Sequence, residues 1–380
     1  MSEEFKRKLE AYEKGQLTQQ EIEEFEKELD RYEQYQESLM EEKQGDTNEG
    51  LDERKQKRVL RRGKWKARIQ TALTALLMVI VFYIVSSVLT SIYYAWGTPD
   101  RTDVYRNVID HTLTVTNPYG YMGGTSVDVQ PFFRMEATRE LNKSVGHDTF
   151  QIGEMKVDFL FSMMGVVEEE SYGKQSQNIP TFLYPGSNIG VDSQWDRLER
   201  LPEGTVVSAY LSFNKLIGTR EVFDQFEDND MDVLWLAVDT GVESPSESDG
   251  VISFPLGFPS FPIWHDDDMI LHSREEKKGH FGGVVSESYS SPESSTDDVE
   301  VYHKQFLKTL SFLEDHEKIV SKLLFGELDL SDRIAYLEEN EVKHYGVVIT
   351  GPTKEVLKLQ EEPWIGNIEV DEVGFWNWIS

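Results

Sequence analysis

His265-Asp266-Asp267-Asp268 is the densest run of metal-type ligands in the chain. Three carboxylates and an imidazole could hold a divalent cation, but consecutive loop residues point in diverging directions, and a cation needs convergent oxygens. Exposed charge is the expectation there. Gly351-Pro352-Thr353-Lys354 precedes a helical pattern, as a phosphate-binding loop does, yet lacks that loop's length and glycines. It reads as a turn into a helix. Neither Gly-x-Ser-x-Gly nor His-Glu-x-x-His occurs, and the 380 residues include no cysteine. That absence removes thiolate zinc sites, iron–sulfur clusters and cysteine nucleophiles. A hydrolase would need a clustered acid/base pair, and none can be located. The expectation is no catalysis, no cofactor and no metal. What remains is recognition chemistry, and its candidates are apolar and aromatic: Phe5, Leu9, Tyr12, Ile22, Phe25, Leu29, Tyr32 and Leu39.

Their spacing predicts the elements that carry them. Phe5, Leu9 and Tyr12 are four and three apart and align on one helix face, which Gly15 ends. Thr18 with Glu21 has the capping-box spacing that opens a second helix. Ile22, Phe25, Leu29, Tyr32 and Leu39 then recur at intervals of three, four, three and seven, with Glu, Gln and Lys elsewhere. Residues 1–44 thus form a helical hairpin with a narrow apolar seam. So small a unit is marginal alone. A homo-oligomeric coiled coil is disfavoured by Gln36 and a short seam, and a solvated spacer by the aromatic residues. The favoured reading is a hairpin that completes its core on a partner, a helix laid in a groove. Gly45 to Gly50 is a hinge by composition.

These helices stand before a stretch of opposite character. Residues 69–99 contain no Asp, Glu, Lys or Arg in a chain that is 28% charged. About 20 apolar residues suffice for a transmembrane helix. Twelve Leu, Ile, Val or Phe side chains lie between Leu73 and Ile92, together favouring insertion by at most roughly 4 to 7 kcal/mol. Tyr93, Tyr94 and Trp96 suit a headgroup layer. Residues 45–68 are hinge and basic juxtamembrane segment, with nine Lys or Arg from Arg54 to Arg68 against Asp52 and Glu53. This bias predicts a cytoplasmic N-terminus and an extracytoplasmic C-terminal region, the span covering 69–96. The run is too long for the apolar core of a cleaved signal peptide. Residues 1–50 carry sixteen acids and seven bases, and the region after the span is more acidic still. An outer domain that acidic should not attract nucleic acid or anionic lipid at long range, and membrane lipid is expected as a partner of the span.

The fold class expected beyond the membrane is α+β: a β-rich subdomain over 97–165 and a mixed α/β domain over 190–380. Asn117-Pro118-Tyr119-Gly120 and Gly123-Gly124 mark turns, and strands are predicted at 126–135 and 156–163. One pattern occurs twice. Helix 195–201, strand 205–213, helix 219–223 and strand 231–238 correspond to helix 332–337, strand 342–350, helix 353–357 and a strand from 368. Thr219 and Thr353 stand where N-caps are needed, with Glu221 and Glu355 in the first turns. Two candidate βαβ repeats, a tandem duplication, follow from this, with two unrelated βαβ units as the alternative. A single helix over 302–325, closed by Gly326, should cross the sheets, and residues 273–298 read as a mobile loop. Trp376 and Trp378 are expected on a final strand.

Phe5-Lys-Arg-Lys-Leu9-Glu-Ala-Tyr12-Glu-Lys-Gly15-Gln-Leu17, the Glu-rich helix after it and Gly63-Lys64-Trp65-Lys66-Ala67-Arg68 resemble the N-terminal region of the sigma factor regulator family. These are membrane-anchored anti-sigma factors of Gram-positive bacteria. Gly257-Phe258-Pro259, the Trp235 strand and Tyr345-Gly346-Val347-Val348-Ile349-Thr350-Gly351-Pro352-Thr353 are similar to its C-terminal region. The likeness covers the head, the span and most of 190–380, with 100–165 matching more loosely. It implies that the head sequesters an extracytoplasmic-function sigma factor at the membrane and that the outer domain couples release to envelope conditions, with a second small membrane protein as a further partner. Without cysteine, the His/Cys zinc motif of another anti-sigma class cannot exist. The residues alone also permit a bitopic envelope sensor or scaffold, whose helices bind a different protein or self-associate.

Overall fold

The computed structural model describes residues 52–172, 181–187, 193–227, 229–243, 250–252, 254–279 and 282–375, and 21–35 apart from 23, 26, 29 and 32. The expected first head helix, the Gly45–Gly50 hinge, Trp376 and Trp378 lie outside them. Two compact units result, 1–81 and 82–380, and the boundary falls inside one helix. That helix, α1, runs Asp52–Tyr94, roughly 65 Å at 1.5 Å per residue. It is long and apolar enough to cross a membrane, and from Leu73 to Ile92 its large side chains are exposed. The basic stretch before the span is helical and continuous with it from residue 52, with no separate linker at that point.

Helix α2 (Arg101–Thr116) was not foreseen. Its Val104, Val108, Ile109, Thr112, Thr114, Val115 and Thr116 are β-branched, and such a composition favours strand over helix. Burial decides otherwise. Asp100 caps the helix by accepting the Asp103 amide at 2.8 Å, and Tyr105, Val108, Ile109 and Val115 enter the core. Four antiparallel strands follow in sequential order: β1 (Thr125–Gln130), β2 (Arg134–Val145), β3 (Asp148–Leu160) and β4 (Met163–Ser171). The expected strand 126–135 is thus two strands joined by a turn at 131–133, and 156–163 is the end of a longer one.

A five-stranded antiparallel sheet carries both candidate repeats. Helix α3 (Trp195–Glu199), β6 (Thr205–Gly218), α4 (Thr219–Phe226) and β7 (Asp232–Val238) form the first. Helix α7 (Leu330–Glu339), β12 (Lys343–Pro352), α8 (Thr353–Lys358) and β13 (Ile365–Phe375) form the second. The strand order is β13-β6-β12-β7-β9, with β9 at Gly257–Pro259. The units therefore interleave, each splitting around a strand of the other, as in ferredoxin-like sheets. Neither forms a parallel βαβ block on its own. Every one of the first nine residues of β6 is buried, because both sheet faces are covered. Val207, Ala209, Leu211 and Phe213 face a large core with α3, α4, α8, α2 and the β1–β4 sheet. Tyr210 faces a smaller one with Tyr119, Phe182, Trp235 and Tyr345. β12 approaches β6 so closely that a Cβ on Gly346 would lie 2.5 Å from the Leu211 carbonyl oxygen.

Thr219 and Thr353 are not N-caps. Gly218 and Pro352 hold those positions, and each threonine is the first residue of its helix, turned inward. Thr219 Oγ1 lies 2.8 Å from His344 Nε2 at the start of β12, and Thr353 Oγ1 lies 2.7 Å from Thr205 Oγ1 at the start of β6. Antiparallel central strands bring each strand's exit beside its neighbour's entry, so the two bonds are equivalents in the two units. The expected helix over 302–325 is two, α5 (Val299–Glu314) and α6 (Glu317–Leu324), broken at Asp315-His316, and Phe325 ends the second with φ 54°. The expected loop 273–298 instead holds a hairpin, β10 (Ile270–Gly279) with β11 (Gly282–Ser290). A short pair, β5 (Phe182–Leu183) with β8 (Val251–Ile252), closes over the smaller core.

Candidate functional site

Of the eight expected recognition residues, Ile22 and Phe25 fall among the described positions; Phe5, Leu9, Tyr12, Leu29, Tyr32 and Leu39 lie outside them. Both described residues are on a helix. Phe25 is 2% exposed and Ile22 is half-buried, while Glu21, Glu24, Lys27, Glu28, Asp30, Arg31, Glu33 and Gln34 are exposed.

Sequence reasoning missed a second constellation, where the last turns of α1 enter the C-terminal region. Ser86 and Thr90 are one turn apart on one face, and both are buried. Ser86 Oγ accepts the Phe132 amide at 2.8 Å, and Thr90 Oγ1 accepts the Phe133 amide at 2.9 Å. Thr90 also donates to the Ser86 carbonyl at 2.8 Å, so its hydroxyl is fully used. One turn further, the Tyr94 hydroxyl lies 3.1 Å from the carbonyls of both Phe133 and Phe161. Phe133 and Phe161 stack at 4.4 Å, Tyr93 meets both edge-on, and Arg101 lies over the Tyr93 ring at 4.5 Å. The signal for this site was a Ser and a Thr four apart in an apolar run, polar groups that a lipid-facing helix has no use for.

A separate set of polar contacts ties α2 and the β1–β4 sheet to the five-stranded sheet. Arg139 of β2 ion-pairs with Asp110 of α2 and donates to the Gly120 carbonyl. Asp110 also accepts from Thr125. Lys143 of β2 pairs with Asp371 of β13 at 2.6 Å, both side chains almost fully buried. Tyr119 donates to Asp371 at 2.6 Å and lies 2.5 Å from Ser208 Oγ on β6. Burial, then the neighbouring Tyr210 and Asp371, pushes the Tyr119 hydroxyl well above its usual value, so it stays a donor. Trp235 Nε1 donates to the Thr114 carbonyl at 3.0 Å, tying β7 to α2.

The run His265 to Asp268 forms one turn of 3₁₀ helix. Lys308 binds Asp267 and Asp268 at 2.7 and 2.8 Å, and Asp268 accepts the His265 amide at 3.0 Å. Two of the three acids are thus engaged by a lysine and Asp266 accepts from Asn107 at 2.9 Å, and no group of three His, Asp or Glu able to hold a metal occurs among the described residues. His265 lies 4.3 Å from the His111 ring and 2.9 Å from Thr309 Oγ1. Burial, then the charge of His265, lowers His111 to about 3. Burial, then the charge of His303, lowers His344 to about 3. Both imidazoles are neutral structural groups. Lys354, in the phosphate-loop-like run, pairs with Glu203 at 2.6 Å.

These features define a single-pass membrane protein whose folded C-terminal region is bonded directly to the end of its spanning helix. Comparison with known proteins agrees. The family described as "Sigma factor regulator C-terminal" matches residues 198–372, and "Sigma factor regulator N-terminal" matches residues 57–150. The chain belongs to the sigma factor regulator family. It is 26% identical over 388 residues, with all of both chains covered, to a protein of Bacillus subtilis (strain 168) named "Probable anti-sigma-M factor YhdL". No solved structure matches. The N-terminal match begins at residue 57 and takes in the span, α2 and β1–β2, so it lies after the head helices.

Proposed function

We propose that this protein is an anti-sigma factor that holds an extracytoplasmic-function sigma factor at the membrane. The head faces the cytoplasm and the C-terminal region lies outside. Membership of the regulator family, with a full-length relative named as an anti-sigma factor, carries this reading. The amphipathic helix around Phe25 and the basic flank Arg54–Arg68 are compatible with it. In this reading the narrow seam docks against the sigma factor while the acidic faces complement its basic DNA-binding surface. Seam residues supply the affinity and charge supplies encounter rate. The C-terminal region couples release to envelope conditions, through the bonds at Ser86, Thr90 and Tyr94 or through a second membrane protein.

The test is co-purification of the detergent-solubilised full chain with small sigma factors of its own organism, alongside a promoter reporter. Capture of one sigma factor and silencing of its promoter are expected. Leu29→Ala or Phe25→Ala should weaken capture by about 2 kcal/mol, the size of a hot-spot loss. A full chain that captures no sigma factor and leaves every such promoter active rules the reading out.

A further inference from the structure

Two hairpin ends of the β1–β4 sheet reach back along the spanning helix. The turn between β1 and β2 carries Phe132, whose ring lies 5.8 Å from that of Phe82 and 6.2 Å from that of Tyr83. Those two helix positions are about 18 Å and 16 Å before Tyr94 along the axis. They sit inside the charge-free run and are themselves exposed. A side chain packed on lipid-facing residues shares their solvent. We infer that the hairpin ends at Phe132 and at Phe161 insert into the leaflet next to the C-terminal region, packed along the last turns of α1, so that lipid is their third neighbour.

Three further observations support a lipid occupant. First, the ends lack charge: none occurs between Asp128 and Arg134, nor between Asp158 and Glu168. In these stretches Phe132, Leu160, Phe161, Met163 and Val166 are exposed, Phe132 at 47% and Val166 at 76%. Second, charge begins where the sheet would leave the lipid, with Arg134 and Asp158 paired at 3.5 Å. Strands rise about 3.3 Å per residue, which places this pair roughly 5 to 10 Å from the tips. Third, lipid offers no hydrogen bonds, so backbone groups there must bond within the protein. The amides of Phe132 and Phe133 bond to Ser86 and Thr90, and the Phe161 amide donates to the Phe133 carbonyl at 2.9 Å. These phenylalanines hold φ of 68°, 58° and 54°, a region bulky residues rarely enter. A cleft of about 360 Å³ between Leu89, Ile92, Tyr93, Trp96, Arg101 and Phe133 continues this apolar surface toward the exposed Trp96.

The inference rests on α1 crossing a membrane and not on what the head binds. Because the chain has no cysteine, single cysteines can carry a polarity-sensitive fluorophore without background. The full chain would be reconstituted in phosphatidylglycerol/phosphatidylethanolamine vesicles with labels at Phe132→Cys, Phe161→Cys or Met163→Cys. Val79→Cys in the span and Glu199→Cys on the exposed α3 surface serve as references. The expected result is loss of fluorescence at 132, 161 and 163 with nitroxides on the acyl chains, as at 79, and protection from iodide, unlike 199. Iodide quenching at 132, 161 and 163 equal to that at 199 places the ends in water and overturns the inference. Protection from both quenchers means that protein covers them, and overturns it too. Absence of lipid quenching at 79 removes the span itself, whereas quenching at 79 alone removes only the insertion of the hairpins.

Discussion

One helix, α1, lives in two environments, and its halves contrast. From Leu73 to Val81 its large apolar side chains are exposed, and the hydroxyls of Thr71 and Thr74 return to the helix's own carbonyls at 3.0 and 2.9 Å. From Phe82 to Tyr94 the helix belongs to the C-terminal unit, and Ser86, Thr90 and Tyr94 bond to residues 39 to 67 positions away. The first half could be replaced by any apolar helix of equal length. The second could not, because it supplies partners for two amides and two carbonyls of the C-terminal unit. Apolarity thus specifies a span, while the few polar residues in it specify what the span holds.

Perturbing each side of the contrast should give graded effects. The largest is expected at the buried ion pair between β2 and β13. Lys143→Met leaves the Asp371 carboxylate buried without its cation, which should cost about 3 to 5 kcal/mol, read as a lowered unfolding midpoint of the full chain in detergent. Replacing both partners by apolar residues should recover most of that loss. Thr90→Val keeps the shape but removes the acceptor for the Phe133 amide, and about 1 to 3 kcal/mol is expected by the same measurement. Acid should act on the folded unit alone. His111 and His344 titrate near 3 when folded, against 6.5 for an unperturbed imidazole. The unfolded chain therefore binds more protons across that window, and stability is retained above pH 6.5 and lost as pH falls toward 3. The slope is at most about 1.4 kcal/mol per pH unit for each imidazole. His344→Gln should flatten the profile, and α1 should keep its helical circular dichroism throughout. The smallest effect belongs to the lipid half: Leu76→Ala should change stability by less than about 0.5 kcal/mol. An equal loss at Leu76 and Thr90 would erase the distinction between the halves.

Much of the fold was legible where local pattern and tertiary outcome agree. Eight elements of the two βαβ units stand where alternation and turn residues put them, from Trp195 to Val238 and from Leu330 to Phe375. Three elements were misread for separate reasons. Helix α2 has a strand-like composition that burial overrides. The α5–α6 break at Asp315-His316 bears no Pro or Gly. The β10–β11 hairpin is so rich in Ser and charge that its alternation is masked.

Composition and spacing alone determined the single span, the absence of thiol chemistry and the βαβ content, because each depends on composition or on neighbours within one or two helical turns or one strand. Only the tertiary structure decided that the two units interleave, that Thr219 and Thr353 bond across strands, and that Phe132 and Phe161 lie along α1. Those outcomes join residues separated by tens to hundreds of positions, and the energy that selects them is buried hydrogen bonding and packing, which exists only once the chain has closed on itself.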